Sequence, residues 1–232
     1  MNFYRYGKHM VMMDDPFDLL RPTTVTVRVS AKVNLALGVG NRAPDGFHPL
    51  ATVFEAICIY DEVTVTRRDD SRITLTISGE DANQVPTDET NLAWQAVELV
   101  RNESVPEWEN RGHGVDIHID KSIPVAGGMA GGSADAAGAL MAAAALYRIP
   151  DSPEELQPLA AELGSDVPFC LTGGVALGRG RGDRLAPVIC RGRHRWVFAT
   201  SNQGLSTPAV YRRFDELGGN PGGEAVPNDL IS

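Results

Sequence analysis

Apolar and polar residues alternate with a period of two in several stretches of the chain. A period of two places successive side chains on opposite faces of a β-strand, so these stretches are predicted to be strands. They run from Thr24 to Ser30 (TVTVRVS), Ala51 to Ile59, Glu62 to Thr66, Ile73 to Ile77, Val115 to Ile119, Gly174 to Leu177 and Trp196 to Thr200.

Other stretches have the spacing of helices. Helical spacing predicts helices over Asn91 to Arg101, Ser133 to Tyr147, Pro153 to Leu163 and Pro208 to Leu217. The third has clear start signals, with Ser152 as the N-cap, proline at the first position and glutamate in the first turn. Strands and helices mix without a regular βαβ alternation, which favours an α+β fold.

Composition narrows the class of protein. The 232 residues are 43% hydrophobic and 22% charged, a balance typical of a globular protein. The net charge of −9 makes nucleic acid an unfavourable partner, since it would repel a phosphate backbone. Three cysteines without Cys-x-x-Cys spacing favour a reducing, cytoplasmic setting over a disulfide framework or zinc site. No apolar run is long enough to span a membrane.

Both ends of the chain differ from its middle. Residues 1–22 contain clustered methionines and three aspartates but no apolar signal core, so we expect a disordered leader outside the fold. The last residues, Asn228 to Ser232, follow a Gly/Pro-rich stretch without a concluding element. This ending is what a fragment of a longer protein would show.

A glycine-rich loop is the strongest chemical signal. The segment from Pro124 to Ala137 (PVAGGMAGGSADAA) has four glycines in six positions and leads into the alanine-rich helix. Backbone without Cβ atoms can approach a phosphate closely, and the unpaired N–H groups at a helix N-terminus favour an anion. The segment is therefore predicted to bind phosphate, with Ser133 placed to touch a phosphate or a metal. The alternative is a flexible turn into a buried helix.

The loop lacks the lysine of a Walker A motif and does not fit the dinucleotide-binding fingerprint. Its positive charge must therefore come from elsewhere in the chain. Lys32 is a lone lysine between small and apolar residues, and Asp166 lies among apolar residues after a helix. Asp166 is a candidate base for a hydroxyl nucleophile. The alternatives are a lysine that extends to solvent and an aspartate that caps a turn or helix.

Two further segments carry weaker signals. The turn from Asn41 to His48 ends in Phe47 and His48, which are either core and surface residues or a pair that reads a planar ring. The remaining histidines do not cluster like metal ligands, so we predict no metal site built from protein side chains. Six arginines between Arg179 and Arg195 are interpreted as a solvated loop.

Together these segments resemble the superfamily of galactokinase, homoserine kinase, mevalonate kinase and phosphomevalonate kinase (GHMP kinases). Within it, the chain is similar to the kinases of 4-diphosphocytidyl-2-C-methyl-D-erythritol (CDP-methylerythritol). The matching segments are AKVNLALGV, RAPDGFHPL, DETNLAWQA, PVAGGMAGGSADAA, LGSDVPFCLTGG and LSTPAVY. The resemblance spans about Val25 to Leu230.

The resemblance implies a reaction and a set of site residues. ATP, with Mg²⁺, would phosphorylate the 2-hydroxyl of the small-molecule substrate CDP-methylerythritol, in the non-mevalonate isoprenoid pathway. Lys32 and Asp166 would form the catalytic pair, with Asp166 as the general base. The substrate contacts would be Asn34, Phe47, His48, Thr207 and Tyr211. The ATP contacts would be Asn91, Leu92, Pro124, Val125, Ala126, Gly127, Gly128, Met129, Ala130, Gly131, Gly132, Ser133 and Ala134.

The resemblance also implies a two-domain α+β GHMP kinase fold. Residues 23–194 would be the amino-terminal domain, like domain 2 of ribosomal protein S5, and residues 195–232 the start of an incomplete carboxy-terminal domain. Relatives continue past this point to a third glycine-rich motif that helps close the active site. Two alternatives therefore stay open: a nucleotide-binding module without turnover, and another GHMP kinase acting on homoserine or mevalonate. Ala130 and Ala134 also stand where many relatives carry Gly and Ser.

Overall fold

A computed structural model of the chain describes residues 2–6, 9–13, 23–103, 114–147, 149–192, 194–199 and 204–221. The strands are β1 (Asn2–Tyr6), β2 (His9–Met13), β3 (Thr24–Val39), β4 (Leu50–Arg67), β5 (Ile73–Gly79), β6 (Val115–Lys121), β7 (Val175–Gly180) and β8 (Arg184–Pro187). The helices are α1 (Leu92–Glu103), α2 (Gly131–Tyr147), α3 (Pro153–Leu163), α4 (Val167–Thr172) and α5 (Thr207–Glu216), with a 3₁₀ turn at Ala82–Gln84. The predicted α+β class is confirmed.

All the strands belong to one mixed sheet. Its main path runs β1-β2-β3-β4-β6-β5, and β7 and β8 branch from the first half of β4. Neighbouring strands are antiparallel except β5 and β6, which are parallel. The pairing of β3 with β4 shifts register between Ser30 and Lys32 and again between Asn34 and Ala36. Such bulges turn side chains out of the regular alternation, and these two flank Lys32 and Asn34.

The core lies between one face of the sheet and the helices. Val25, Val27 and Val29 of β3 are almost fully buried, as are the alanines along α2. Small residues let α2 approach the sheet closely. At Gly138, a Cβ atom would lie 2.8 Å from Cγ2 of Val63. The glycine loop at the N-terminus of α2 is therefore attached to a helix that packs closely against the sheet.

Most predicted helices are confirmed with small changes in their bounds. α3 has the predicted bounds and the capping box, in which Ser152 and Glu155 bond to each other's backbone N–H groups. α5 begins and ends one residue earlier than predicted. The two runs Ala51 to Ile59 and Glu62 to Thr66 form one strand, β4, because the break between them at Tyr60 and Asp61 stays extended. Asp61 is fully buried there.

Two predictions differ from the structure. Residues 2–6 and 9–13, predicted to be a disordered leader, form the hairpin β1–β2, which extends the sheet at β3. Strand addition to a sheet edge depends on main-chain hydrogen bonds, which need no strong side-chain pattern. The strand predicted from Trp196 is wrong over residues 196–199, which pair with no strand and leave Val197 97% exposed. Among the described residues, no helix is both long and apolar enough to cross a bilayer.

Candidate active site

Lys32 and Asp166 meet at the end of the core, as predicted for a catalytic pair. The Nζ of Lys32 lies 3.5 Å from Oδ2 of Asp166, and the two side chains are 9% and 33% exposed. Asp166 occupies the N-cap position of α4, but its side chain makes no capping hydrogen bond there. The carboxylate is therefore directed to Lys32, and it keeps one third of its surface accessible to a reacting group.

A short chain of hydrogen bonds fixes Lys32. Its Nζ donates to Oδ1 of Asn34 at 2.9 Å, and Nδ2 of Asn34 donates to Oγ1 of Thr52 at 2.6 Å. The Thr52 hydroxyl in turn donates to the carbonyl of Ala36 at 2.8 Å. The ammonium also lies 5.5 Å from the ring centroid of Phe54, within the range of a cation–π contact. Asn34 thus acts on Lys32 in this structure, besides its predicted substrate contact.

The glycine loop connects the end of β6 to α2. Gly128 has a φ of +72°, in the left-handed region that favours glycine. A Cβ atom added at Gly128 or Gly132 would meet no atom within 4 Å, so one side of the loop is open. This open side adjoins the N-terminus of α2, where the first helical N–H groups favour an anion. The geometry fits a phosphate group.

Two alanines of the loop are strained. Ala126 and Ala130 have φ values of +56° and +60°. A left-handed conformation brings Cβ too close to the backbone and costs about 1–2 kcal/mol per residue. The change from glycine to alanine at position 130 therefore acts on the backbone energy of the loop.

The loop is tied directly to the strand that carries Lys32. The backbone N–H of Lys32 donates to the carbonyl of Met129 at 3.1 Å, and Met129 is buried beneath the loop. At the start of α2, the N–H of Ala134 donates to the carbonyl of Ala130 at 2.8 Å. The structure therefore brings the predicted phosphate loop and the predicted catalytic lysine together.

A buried cluster of three charged residues lies beneath the loop; we call it the buried triad. Lys121, at the end of β6, donates to Oδ2 of Asp61 at 2.6 Å and to Oδ2 of Asp135 at 2.8 Å. Oδ1 of Asp61 accepts the N–H groups of Ser122 and Ile123, which begin the loop. All three charged side chains are at most 2% exposed. The triad thus connects the sheet, the loop and α2.

The two acids of the triad differ in their hydrogen bonds. Asp61 accepts three, whereas Oδ1 of Asp135 has no hydrogen-bond partner among the described residues. Burial raises the pKa of Asp135 to about 7, and the charge of Lys121 opposes that rise. Burial alone would lower the pKa of Lys121, but the two carboxylates outweigh it and raise that pKa. Among the described residues, Lys121 is the donor that bonds to the carboxylate of Asp135.

His48 and Tyr211 are in direct contact. Their rings stack with centroids 4.9 Å apart and planes 17° apart. Nδ1 of His48 bonds to the carbonyl of Gly40 at 2.9 Å, and Nε2 lies 3.4 Å from Oδ1 of Asp215. Burial raises the pKa of the Tyr211 hydroxyl, and the charge of Asp166 adds to the rise. Tyr211 is therefore within electrostatic range of Asp166.

Phe47 and Thr207 are placed differently from His48 and Tyr211. Phe47 is 50% exposed, and the guanidinium carbon of Arg181 lies 4.4 Å from its ring centroid. Thr207 is the exposed first residue of α5. A contact of Phe47 or Tyr211 with the substrate thus remains a prediction, because in this structure Tyr211 stacks on His48.

The predicted adenosine contacts lie at the start of α1. Asn91 is buried; its Oδ1 accepts the N–H of Ala93 at 2.8 Å and its Nδ2 donates to the carbonyl of Pro86 at 2.8 Å. Both polar groups of Asn91 therefore hold the helix start. Leu92 packs against the core. A contact of either residue with a nucleotide remains a prediction.

Sequence reasoning missed several site residues. Thr52 and Phe54, which surround Lys32, are ordinary strand residues in the sequence. The triad members Asp61 and Lys121 are 60 positions apart and join only through the pairing of β4 with β6. The sequence signal that could have identified them is the position of each charged residue: Asp61 lies between two predicted strands, and Lys121 follows the end of another. Within the described residues, no group of three or more His, Cys, Asp or Glu is arranged to hold a metal ion.

Comparison with known proteins shows what this chain is similar to. The family model described as GHMP kinases N terminal domain matches residues 91–174, which include the glycine loop and Asp166. A solved structure titled 4-(cytidine 5'-diphospho)-2C-methyl-D-erythritol kinase superposes with a TM-score of 0.60 at 32% identity, covering 89% of this chain and 69% of that one. The fold is therefore that of a GHMP kinase.

Curated relatives narrow the identification from GHMP kinases to a single kinase family. A 4-diphosphocytidyl-2-C-methyl-D-erythritol kinase of Cutibacterium acnes is 91% identical over 209 residues, which cover 90% of this chain and 67% of the relative. A protein of the same name from Streptomyces coelicolor is 56% identical, over 84% of this chain and 63% of the relative. The chain belongs to the 4-diphosphocytidyl-2-C-methyl-D-erythritol kinase family. It spans about two thirds of the length of these relatives.

Proposed function

We propose that the chain carries the catalytic base and the nucleotide-phosphate site of a kinase that transfers the γ-phosphoryl group of ATP to the 2-hydroxyl of CDP-methylerythritol. The observation that carries the proposal is the Lys32–Asp166 pair, 3.5 Å apart, in which Lys32 lies on a strand bonded to the glycine loop. A base, a cation and a phosphate cradle in one place are the parts that phosphoryl transfer needs.

Asp166 is the base of the proposed reaction. Its side chain is not used to cap α4 and remains one third exposed, so the acceptor hydroxyl can reach it. Asp166 accepts the proton of the 2-hydroxyl as that oxygen attacks the γ-phosphorus of ATP, and the bond to the β-phosphate oxygen breaks to leave ADP. Positioning a base in this way contributes about 10²–10⁴-fold to rate.

Lys32 has two tasks in this proposal. Its ammonium, 3.5 Å from Oδ2 of Asp166, holds the carboxylate of the proposed base in place. It also offsets the negative charge of the transferring phosphoryl group. The bond from Lys32 to Asn34, and from Asn34 to Thr52, holds the ammonium in place for both tasks.

The α2 N-terminus and the open side of the glycine loop would hold the ATP phosphates, and the Ser133 hydroxyl in the first turn would contribute to Mg²⁺ binding. Mg²⁺ usually keeps several waters and binds through substrate phosphates with few protein ligands, which fits a site without a cluster of acids among the described residues. When bound, it neutralises charge on the phosphate oxygens.

We base the proposed acceptor specificity on the aromatic side chains near α5. Tyr211, within electrostatic range of Asp166, stacks on His48, and Phe47 is an exposed ring on the neighbouring loop. Aromatic rings bind a planar base by stacking, whereas homoserine and mevalonate have no such group. This difference favours the cytidine-linked acceptor over those of other GHMP kinases.

The test is release of ADP by this chain with ATP, Mg²⁺ and CDP-methylerythritol. We expect release that depends on the acceptor, and a loss of about 10³-fold in Asp166→Asn. Asp120→Asn, an exposed aspartate on β6, is the matched control and should keep full activity. Turnover with homoserine or mevalonate would contradict the acceptor. Nucleotide binding without any turnover would instead identify a nucleotide-binding module.

A further inference from the structure

The turn between β7 and β8 contains the alternating glycines and arginines of the sequence, which the proposed reaction does not use. Two glycines of this turn, Gly180 and Gly182, have φ values of +70° and +100°. This left-handed region favours glycine, so the sequence fits the turn that the backbone makes. Between them, the backbone N–H of Arg181 donates to Oδ1 of Asp183 at 3.1 Å. The side chain of Arg181 therefore extends from a fixed position in the backbone.

This turn brings Arg181 to Phe47. β7 pairs with the start of β4, and in that pairing Gly180 lies opposite Leu50, three residues after Phe47. The guanidinium carbon of Arg181 lies over the ring of Phe47, 4.4 Å from its centroid, which is a cation–π contact. Nε of the same side chain lies 4.0 Å from Oδ2 of Asp183. The guanidinium is therefore held by both a carboxylate and an aromatic ring.

The loop around Phe47 fixes the backbone of this residue. The N–H of Phe47 donates to Oδ1 of Asp45 at 3.0 Å, and its carbonyl accepts the N–H of Ala43 at 2.8 Å. Phe47 is nevertheless half exposed, and an exposed side chain can adopt several rotamers. Ordering such a side chain when a ligand binds lowers the affinity. The contact with Arg181 therefore supplies an orientation of the ring that the loop backbone does not.

We propose that Arg181 is a positioning residue of the acceptor site, which holds the Phe47 ring in place to stack on the base of the acceptor. A guanidinium stacked on one face of a ring leaves the opposite face for a planar base. His48, the next residue of the loop, stacks on Tyr211, so this loop also contacts the other aromatic residue predicted to bind the acceptor. The inference rests on the proposed function, because it takes CDP-methylerythritol as the ligand of this side of the site.

Two other roles of Arg181 would give different results. If its guanidinium bound the diphosphate of the acceptor directly, the loss of Arg181 would add to the loss of Phe47. If the guanidinium occupied the place of the base, its removal would tighten binding of the acceptor. The direction of the effect and its dependence on Phe47 therefore separate the three roles.

The experiment measures the dissociation constant of CDP-methylerythritol by calorimetry for the wild type and for variants of the turn. A cation–π contact at an exposed site changes an equilibrium by about two- to fivefold, so Arg181→Ala should raise the dissociation constant by that factor. Arg181→Lys keeps the cation but not its planar group, and it should recover part of the affinity. Arg184→Ala removes the same charge from an exposed position of the same hairpin, and it should bind like the wild type.

Dependence on Phe47 is the decisive measurement. Phe47→Leu removes the ring, and loss of stacking on a base weakens binding by about tenfold. Adding Arg181→Ala to Phe47→Leu should weaken binding no further, because Arg181 acts through the ring. Additive losses, or tighter binding by Arg181→Ala alone, would overturn the inference. A parallel loss of affinity for ATP in Arg181→Ala would also overturn it, since this would indicate a general structural role.

Binding is measured without turnover, so the inference and the proposed function can fail separately. The expected dependence of Arg181 on Phe47, in a chain that releases no ADP, would overturn the proposed reaction and leave this inference standing. Turnover with the same acceptor affinity in the wild type and Arg181→Ala would overturn this inference alone. A wild type that binds no CDP-methylerythritol would overturn both.

Discussion

The two sides of the candidate site are held by different kinds of contact. On the loop side, Lys32 and the glycine loop are anchored in the core, through the buried triad and the packing of α2. On the α5 side, Tyr211 belongs to a helix with no buried residue. That helix is held by the His48 stack and by Asn220, which bonds to Asn41 and Val39.

This difference predicts which measured property should change when each side is disrupted. The loop side shares its contacts with the hydrophobic core, so a change there should lower the free energy of unfolding. The α5 side makes few buried contacts, and such regions open at low free-energy cost. A change there should therefore weaken binding of the acceptor and leave global stability nearly unchanged.

Lys121→Met should give the largest effect. Removing the cation leaves two buried carboxylates without their partner, which costs about 3–5 kcal/mol. The folded variant must bind an extra proton, so its loss of stability should be smaller near pH 5 and should grow as pH rises. Urea unfolding near pH 5 and at a higher pH measures the loss in the free energy of unfolding. Arg72→Met, which removes a partner of Asp70 at the surface, is the control and should leave the urea midpoint of unfolding unchanged. Equal effects of the two substitutions would contradict the comparison of the two sides.

Gly138→Ala should give the next largest effect. The new methyl group would lie 2.8 Å from Cγ2 of Val63 and 3.3 Å from Cγ1 of Val29, and both valines are rigid and buried. Overpacking of this kind costs about 1–3 kcal/mol. Gly132→Ala on the same helix meets no atom within 4 Å, so its thermal unfolding should match the wild type. A stable Gly138→Ala protein would show that α2 is less tightly packed than described.

Tyr211→Ala tests the α5 side. Loss of stacking on a base weakens binding by about tenfold, so the dissociation constant for CDP-methylerythritol should rise by that factor. The free energy of unfolding should stay the same, because α5 buries no residue in the core. Calorimetry and urea unfolding give the two values. Arg212→Ala, an exposed neighbour, should change neither. A drop in stability without a change in affinity would reverse the assignment of this side.

Ala130→Gly should give the smallest effect, and a favourable one. Glycine relieves the left-handed strain at φ +60° but adds freedom to the unfolded chain, so we expect a net gain of about 0.5–1 kcal/mol. Ala145→Gly, in the regular part of α2, should instead lose about 1 kcal/mol. Chemical denaturation of both variants decides the matter, and a loss of stability in Ala130→Gly would contradict the strained loop.

Local signals made part of this fold predictable. α3 has its predicted bounds because Ser152, Pro153 and Glu155 specify a helix start within four residues. The glycine loop was predictable for the same reason, since its glycines and the following helix are adjacent in sequence. The family motifs around Lys32 and Asp166 added the pair itself, which 134 positions separate, and the structure places the two side chains 3.5 Å apart.

The remaining features depend on contacts that no local pattern records. Asp61 interrupts an apolar alternation and predicts a break in the strand, yet it is buried because Lys121 arrives from another strand. Thr52 bonds to Asn34 across the register shift between Asn34 and Ala36, an irregularity of the strand pairing that the sequence does not mark. The β1–β2 hairpin was missed because pairing along a sheet edge uses the main chain. Its partner strand is not visible from the hairpin's own residues.

Because the Lys32 amide bonds to the Met129 carbonyl, this one residue connects the glycine loop to Asp166. The main chain of Lys32 is joined to the glycine loop, and its ammonium lies 3.5 Å from the carboxylate of Asp166. In the proposed reaction, the length of a single lysine would therefore set the separation of the phosphoryl donor and the acceptor.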